Sequence, residues 1–389
     1  MKYNFDEIIP RRGTNCVKWD RCDDPQVLPL WVADMDFRAA PCIVDALQHL
    51  LDHGVFGYVD VPESYYETVI RWFSRRHDWH IQRQDMLYTT GVIPAIAAIL
   101  QSLTKPGDKV LILTPVYNCF YTCIRNAGNV LVESPLKYEN HRYSIDFEDF
   151  ERKIIEQQPK IFLQCNPHNP AGRVWTREEL TRLGDICLRH NVYVISDEIH
   201  NELCMPGYHY TPFASLSPEF AQNSAICISA SKSFNIAGLQ LACIVAADAH
   251  ARAKIDKGIN VNETCDVSPF AIVAHKAAYS QEGEEWLRQL MEYIHGNYEY
   301  LCRFMKENLP QIGVTQCEGT YLVWLDCTQI GIPSHKLEPL LREKAHVWFT
   351  GGHIYSTSEN YFMRVNLACP RAILVQALHN FCTFIEESC

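Results

Sequence analysis

Between residues 85 and 250 the chain alternates short, nearly unbroken apolar runs with longer stretches whose apolar residues recur every three or four positions. Met86-Leu87-Tyr88-Thr89 precedes a glycine and the helical pattern of 92–100. Val110-Leu111-Ile112-Leu113 ends in Thr114-Pro115-Val116-Tyr117, and 129–133 makes a further short strand. A helix is predicted over 145–158, a strand over 161–165, a helix over 177–190, then strands over 192–196, 224–228 and 241–246. Runs that are apolar at every position suit strands covered on both faces. Their alternation with helices predicts an α/β fold, a mostly parallel sheet with helices on both sides.

The flanks read differently. The first 25 or so residues form an irregular arm, and a short apolar strand from Leu28 then runs into two acids, Asp34 and Asp36. That stretch fits either a strand and turn of a small domain or a loop whose backbone closes over a substrate. Helices are predicted over 40–53, with Ile43, Leu47, Leu50 and Leu51 on one face and Gly54 at its end, and over 62–75. Past residue 250 a long helix over 284–307, rich in aromatics and charges, suits a link between domains. Strands over 320–325 and 362–367 and helices over 334–344 and 370–387 suggest a separate α+β unit. The division expected is a large domain, 49–282, and a small one built from 1–48 and 283–389.

Composition narrows the class. The 389 residues carry a formal net charge of -11 with no block of Lys or Arg, which argues against nucleic acid. No stretch approaches the ~20 apolar residues of a membrane span. The first residues are polar and lack a signal-peptide core, so a cytoplasmic protein is expected. Seventeen cysteines are scattered without a Cys-x-x-Cys pair, and the sixteen histidines show no ligand-like spacing. Reduced structural thiols are expected, with no metal.

Candidate chemistry gathers at strand ends. Ser229-Ala230-Ser231-Lys232 follows the strand over 224–228. Such strings are common in surface turns, but a lysine held in a partly dry, crowded place becomes nucleophilic, and the serines offer phosphate ligands. Gly91 opens a helix, where free N–H groups attract anions, although glycine turns of this kind are frequent in α/β proteins. Tyr117 ends a strand, as ligand-facing residues do in such sheets. Two Asn-Pro pairs around His168 enforce an extended loop that fixes the Asn169 amide. Asp197 ends a buried strand, a costly place for a carboxylate unless a cation meets it. Arg364, inside an apolar strand, is either ion-paired or free for a carboxylate ligand. Tyr58 reads on its own as a packed aromatic.

In this order and spacing, Gly91, Tyr117, Asn169, Asp197, Lys232 and Arg364 resemble fold-type I pyridoxal 5'-phosphate (PLP) enzymes of the class I/II aminotransferase group. Six strings are similar, in order, to the MalY/PatB family of cystathionine β-lyases and cysteine desulfhydrases, which includes cystalysin. They are Trp31-Val32-Ala33-Asp34-Met35-Asp36-Phe37, the 166–174 loop, Ser196-Asp197-Glu198-Ile199-His200, Lys232-Ser233-Phe234-Asn235-Ile236-Ala237-Gly238-Leu239, Gly319-Thr320-Tyr321 and Asn366-Leu367-Ala368-Cys369-Pro370. His200 stands where aminotransferases usually have Tyr, and Gln240 where they usually have a phosphate-binding Arg. Both differences resemble the lyases. Asn118 departs from those lyases that carry a second Tyr there.

The resemblance implies a large domain with a mostly parallel seven-stranded sheet between helices and a smaller α+β domain. It implies that Lys232 carries PLP and removes the Cα proton, that Asp197 keeps the pyridine nitrogen protonated, and that Tyr117 stacks on the ring. Asn169 would meet the ring hydroxyl, with His200 near the cofactor. Gly91, the N–H groups of Val92 and Ile93, Ser229 and Ser231 would bind the phosphate, with Tyr58 reaching the site of a neighbouring subunit in an obligatory homodimer. Arg364, beside the Ala33 backbone, would grip the substrate carboxylate. The reaction implied is α,β-elimination of L-cystathionine, L-cysteine or another β-substituted amino acid to pyruvate, ammonia and a thiol. An aminotransferase and a regulatory PLP protein binding a transcription activator are the alternatives.

Overall fold

The computed structural model describes residues 2–261, 266–358 and 360–388. Seven strands form its main sheet: β1 Met86–Thr89, β2 Lys109–Thr114, β3 Val130–Pro135, β4 Ile161–Cys165, β5 Tyr193–Asp197, β6 Ser224–Ile228 and β7 Ala242–Val245, in the order β1-β7-β6-β5-β4-β2-β3. β2 to β6 pair in parallel, whereas β7 runs antiparallel to both β1 and β6. Hydrophobicity reports only that β7 is buried on both faces, because side-chain alternation is the same in either direction. The register places Cys165 opposite Asp197 and Asp197 opposite Cys227, so β4, β5 and β6 end level.

Helices cover both faces, as an uninterrupted apolar strand requires. Val92–Leu103 lays Ile96 and Ile99 against one face of the sheet, over Ile112, Leu163 and Ile195. On the other face Phe150, from the helix Phe147–Gln157, meets Phe162 of β4 edge-on at 4.8 Å. Local signals set the helix ends. Thr176 and Glu179 form a reciprocal capping box at the start of Arg177–Arg189, and Gly54 ends Pro41–His53 with a left-handed φ of 71°.

A second sheet is antiparallel: β8 Gly313–Val314, β9 Leu322–Asp326, β10 Thr350–Gly351 and β11 Phe362–Asn366, in the order β8-β9-β11-β10. The helix Gln281–Asn308 precedes it, longer at both ends than its periodicity predicts. Leu28–Pro29 pairs in parallel with Val347–Trp348 as a separate two-stranded sheet, and Asn366 N–H at the end of β11 donates to Leu30 O at 2.9 Å, tying the start of the chain to this region. Five helices, Val17–Asp20 in the arm expected to be irregular, Cys119–Asn126, Pro218–Gln222, Ala249–Asn260 and Pro269–Ala278, and the hairpin of Lys137–Glu139 with Arg142–Ser144 were not predicted. No described helix is long and apolar enough to cross a membrane, and every described cysteine is free.

Candidate active site

Where β4, β5 and β6 end, the chain leaves a cavity of about 200 Å³. A groove of about 610 Å³ lies elsewhere, bordered by Arg75, Arg288 and Glu292. It is larger, and its buried Glu202 is already paired with Arg76 and His77, whereas the smaller cavity brings a buried lysine, carboxylate and histidine together without such pairing. Its walls come from six separated segments and include Ala33, Gly91, Val92, Ile93, Tyr117, Asn169, Asp197, His200, Ser231 and Lys232.

Lys232 sits in a tight turn after β6, braced by Phe234 N–H to Ala230 O and Ile236 N–H to Ser231 O, both 3.0 Å. Its Nζ donates to Ala33 O at 2.7 Å. Burial holds its pKa below the ordinary lysine value; Asp34 opposes that shift and Arg364 adds to it. A lysine so placed spends more time as the neutral, nucleophilic amine.

Asp197 is buried, and its carboxylate accepts one backbone N–H, from Ile199 at 3.1 Å. Burial raises its pKa to about 7, against the pull of that bond and of Lys232. His200 is driven the other way, to about 3, by burial first and then by Lys232 and Arg364. It is therefore a neutral imidazole, and its Nδ1 has no partner. Burial pushes the Tyr117 phenol well above its ordinary value, so it stays protonated.

Arg364 lies on β11, 4% exposed. One Nη donates to Asn169 Oδ1 at 3.1 Å, the other to Trp31 O at 2.8 Å, and its Nε has no partner. Its bonds thus run to an amide and a carbonyl rather than to a carboxylate. The Tyr355 ring lies under the guanidinium at 4.9 Å. Because Asn169 Oδ1 is taken, the amide NH₂ is what that side chain has left to offer. Gly91, Val92 and Ile93 bring the first turn of a twelve-residue helix to the wall, a ready place for an anion.

Three expected site residues are not on this cavity wall, and one of them, Arg364, stands directly behind it, hydrogen-bonded to Asn169. Ser229 turns its hydroxyl inward, donating to Leu241 O at 2.7 Å and accepting Ser231 N–H at 3.1 Å, so it braces the turn instead of lining the cavity. Tyr58 is 93% exposed and is not part of this cavity wall. Conversely, Tyr321 and Asn235 were not singled out in advance. Tyr321 Oη donates to Ala33 O at 3.0 Å, and Asn235 binds the backbone of Met35 and Phe37. A left-handed φ of 56° at Asn235 suits an Asn in a turn, but sequence does not reveal its reach across the fold.

The model of the family described as aminotransferase class I and II matches residues 25–381. The chain belongs to this family, in its MalY/PatB branch. Among members of that branch, the protein named cystathionine beta-lyase PatB of Bacillus subtilis (strain 168) is 40% identical over 379 residues, covering 96% of this chain and 98% of the relative. Protein MalY of Escherichia coli (strain K12) is 32% identical, covering 96% of each. The crystal structure of cystalysin from Treponema denticola, described as containing a pyridoxal 5'-phosphate cofactor, superposes with a TM-score of 0.95 or better, at 0.96, with 33% identity and full coverage of both chains. In this class I and II family member Gln240 is exposed with a left-handed φ of 58°, away from the cavity wall.

Proposed function

We propose that this chain is a PLP-dependent carbon–sulfur β-lyase that converts L-cystathionine, L-cysteine or a similar β-substituted amino acid to pyruvate, ammonia and a thiol. The observation that carries the reading is the set of idle groups around one cavity: a depressed lysine, a buried carboxylate with a single backbone donor, an unpartnered histidine nitrogen and an arginine with a free Nε. Relatives named cystathionine beta-lyase support it.

The donor set fits PLP. A buried acid raised to about 7 suits a ring nitrogen that brings its own proton, and the helix start at Gly91 suits a phosphate. Asp197, Asn169, Tyr117 and His200 would hold the ring; Gly91, Val92, Ile93 and Ser231 would hold the phosphate. Bound there, the pyridine ring supplies an electron sink for a carbanion at the substrate Cα. Lys232 would bind the cofactor and, once freed by the substrate amine, take the Cα proton on Nζ. Arg364 would turn its Nε and an Nη to the substrate carboxylate, fixing the Cα–H toward Lys232. A sulfur leaving group departs readily because a thiol pKa lies near ~8.5.

The same reading includes a homodimer with shared sites. What supports it is the exposure of Val55, Phe56 and Tyr58, at 67%, 55% and 93%, an apolar run that a second copy would cover. It also includes the division into domains 49–282 and 1–48 with 283–389, which the two separate sheets support, and a cytoplasmic place. The test is to add PLP and L-cystathionine to the purified protein and assay pyruvate and free thiol. Steady release of both supports a lyase. Conversion that needs a keto acid and gives no pyruvate makes the chain an aminotransferase instead.

A further inference from the structure

Ala33 stands on the cavity wall, and its carbonyl accepts both Lys232 Nζ and Tyr321 Oη. The loop that carries it is gripped from two sides. On the cavity side, Asn235 Oδ1 accepts Met35 N–H at 3.0 Å while its Nδ2 donates to Met35 O and Phe37 O at 3.0 and 2.9 Å. Asn366 donates to Val32 O and Asp34 O, both at 2.6 Å. On the far side the loop turns two carboxylates toward the N-terminal arm. Asp36 accepts Lys18 Nζ at 2.7 Å, Arg11 Nη1 at 2.6 Å and Trp19 Nε1 at 2.8 Å. Asp34 accepts Arg11 Nη2 at 2.7 Å, with Lys18 Nζ at 3.5 Å.

The Lys18 side chain is 0% exposed and that of Asp36 3%. Burying such charges is costly unless they are paired, and removing one partner strands the other. Apolar packing would fasten a loop at less cost in desolvation, so what this arrangement adds is a fixed geometry. It fixes two cavity groups together, because Trp31, at the head of the same loop, supplies the carbonyl that holds Arg364.

We propose that Lys18 and Arg11 are positioning residues for substrate binding: from the N-terminal arm they hold the 31–37 loop so that Ala33 keeps its place over Lys232 and Trp31 keeps Arg364 turned to the cavity. The proposal rests on the roles given above to Lys232 and Arg364. Cofactor affinity, which depends on the other walls, is not set by the arm.

The test compares wild-type holoenzyme with Lys18→Met, Lys18→Arg and Arg11→Gln, and with Arg38→Gln at the exposed Arg38–Glu7 pair of the same region. Each is titrated with L-cystathionine by the visible absorbance of the bound cofactor, and amide exchange at residues 31–37 is followed without substrate. Lys18→Met and Arg11→Gln should keep the unliganded spectrum, exchange faster at 31–37 and bind about tenfold more weakly, with KM rising more than kcat falls. Lys18→Arg should recover part of the loss, and Arg38→Gln should match wild type. Arg11, at 23% exposure, can be replaced without leaving a fully buried hole if Lys18→Met does not fold. A folded Arg11→Gln protein with wild-type affinity, within about twofold, overturns the proposal. Absence of pyruvate from the wild type defeats the lyase reading instead. If the wild type does not bind L-cystathionine at all, unchanged exchange at 31–37 in both variants still overturns the held loop.

Discussion

Arg173 and Arg364 are both buried arginines, at 0% and 4% exposure, and they are used in opposite ways. Arg173 is saturated: Nε donates to Glu318 at 2.8 Å, Nη1 to Tyr143 O at 2.6 Å and Nη2 to both oxygens of Glu179, with Trp175 under the guanidinium at 4.7 Å. Glu318 also accepts from Arg142 and from Val174 N–H. Arg364 and its neighbours Lys232, Asp197 and His200 are desolvated to a similar degree but keep unspent donors and acceptors. Burial alone therefore does not mark function; what sets this site apart is that several buried ionisable groups with unspent donors and acceptors converge on one cavity. Evidence that either centre behaves like the other would break the distinction.

The largest contrast is expected from Lys232→Ala, which should lower pyruvate release about 10⁴-fold while urea unfolding shows no loss of stability. Arg173→Met should do the reverse. It takes a charged partner from the buried Glu318 and from the partly exposed Glu179, and should cost about 3 kcal/mol, with kcat/KM of the folded protein nearly unchanged.

A pH test sharpens the comparison for the carboxylates. Asp197 is raised from 3.8 to about 7 by burial, so between those values the folded, cofactor-free chain holds a proton that the unfolded chain has released. The contribution of this group to stability is greatest below pH 4 and falls as pH rises through 7, by a few kcal/mol, about 1.4 for each pH unit. Unfolding of cofactor-free wild type and Asp197→Asn across this range should show the steeper decline in the first, and the difference between the two reports Asp197. Glu198, also raised to about 7 by burial, is present in both proteins and cancels.

Arg364→Lys keeps the charge but loses the planar fork, and should weaken substrate binding about 100-fold in a spectral titration. The smallest effect belongs to Ser229→Ala. If its hydroxyl is a brace, stability should drop about 1 kcal/mol, with PLP affinity within about threefold; a larger loss of affinity would return Ser229 to the phosphate site.

Much of the frame was legible because its signals are local. Apolar runs located β1 to β7, and the stretches of three- and four-residue spacing between them located three of the helices. Strand direction was not legible, since β7 reads the same either way. Cys119–Asn126 was missed because its eight residues make only about two turns, too few for its amphipathic repeat to stand out, and Ala249–Asn260 because its pattern is weakly amphipathic. At the site, the groups at strand ends were identifiable, whereas Tyr321, Asn235 and the orientation of Ser229 depend on contacts between distant segments. Hydroxyl chemistry gives the same sequence signal whether it faces a ligand or a neighbouring carbonyl.

The pairing of Leu28–Pro29 with Val347–Trp348 has a consequence in time. The carbonyl of Trp31 that holds Arg364 also accepts the Thr350 hydroxyl, 319 positions along the chain. At about 5–20 residues per second of synthesis, the opening strand waits roughly 15 to 60 s for its partner to be made. During that interval the central sheet can already assemble and Asn235 can already hold the loop, but the bonds from Thr350, Arg364 and Asn366 that complete its grip cannot form. The nascent protein is thus a folded scaffold with an unfinished active site, and it acquires its substrate-facing wall last.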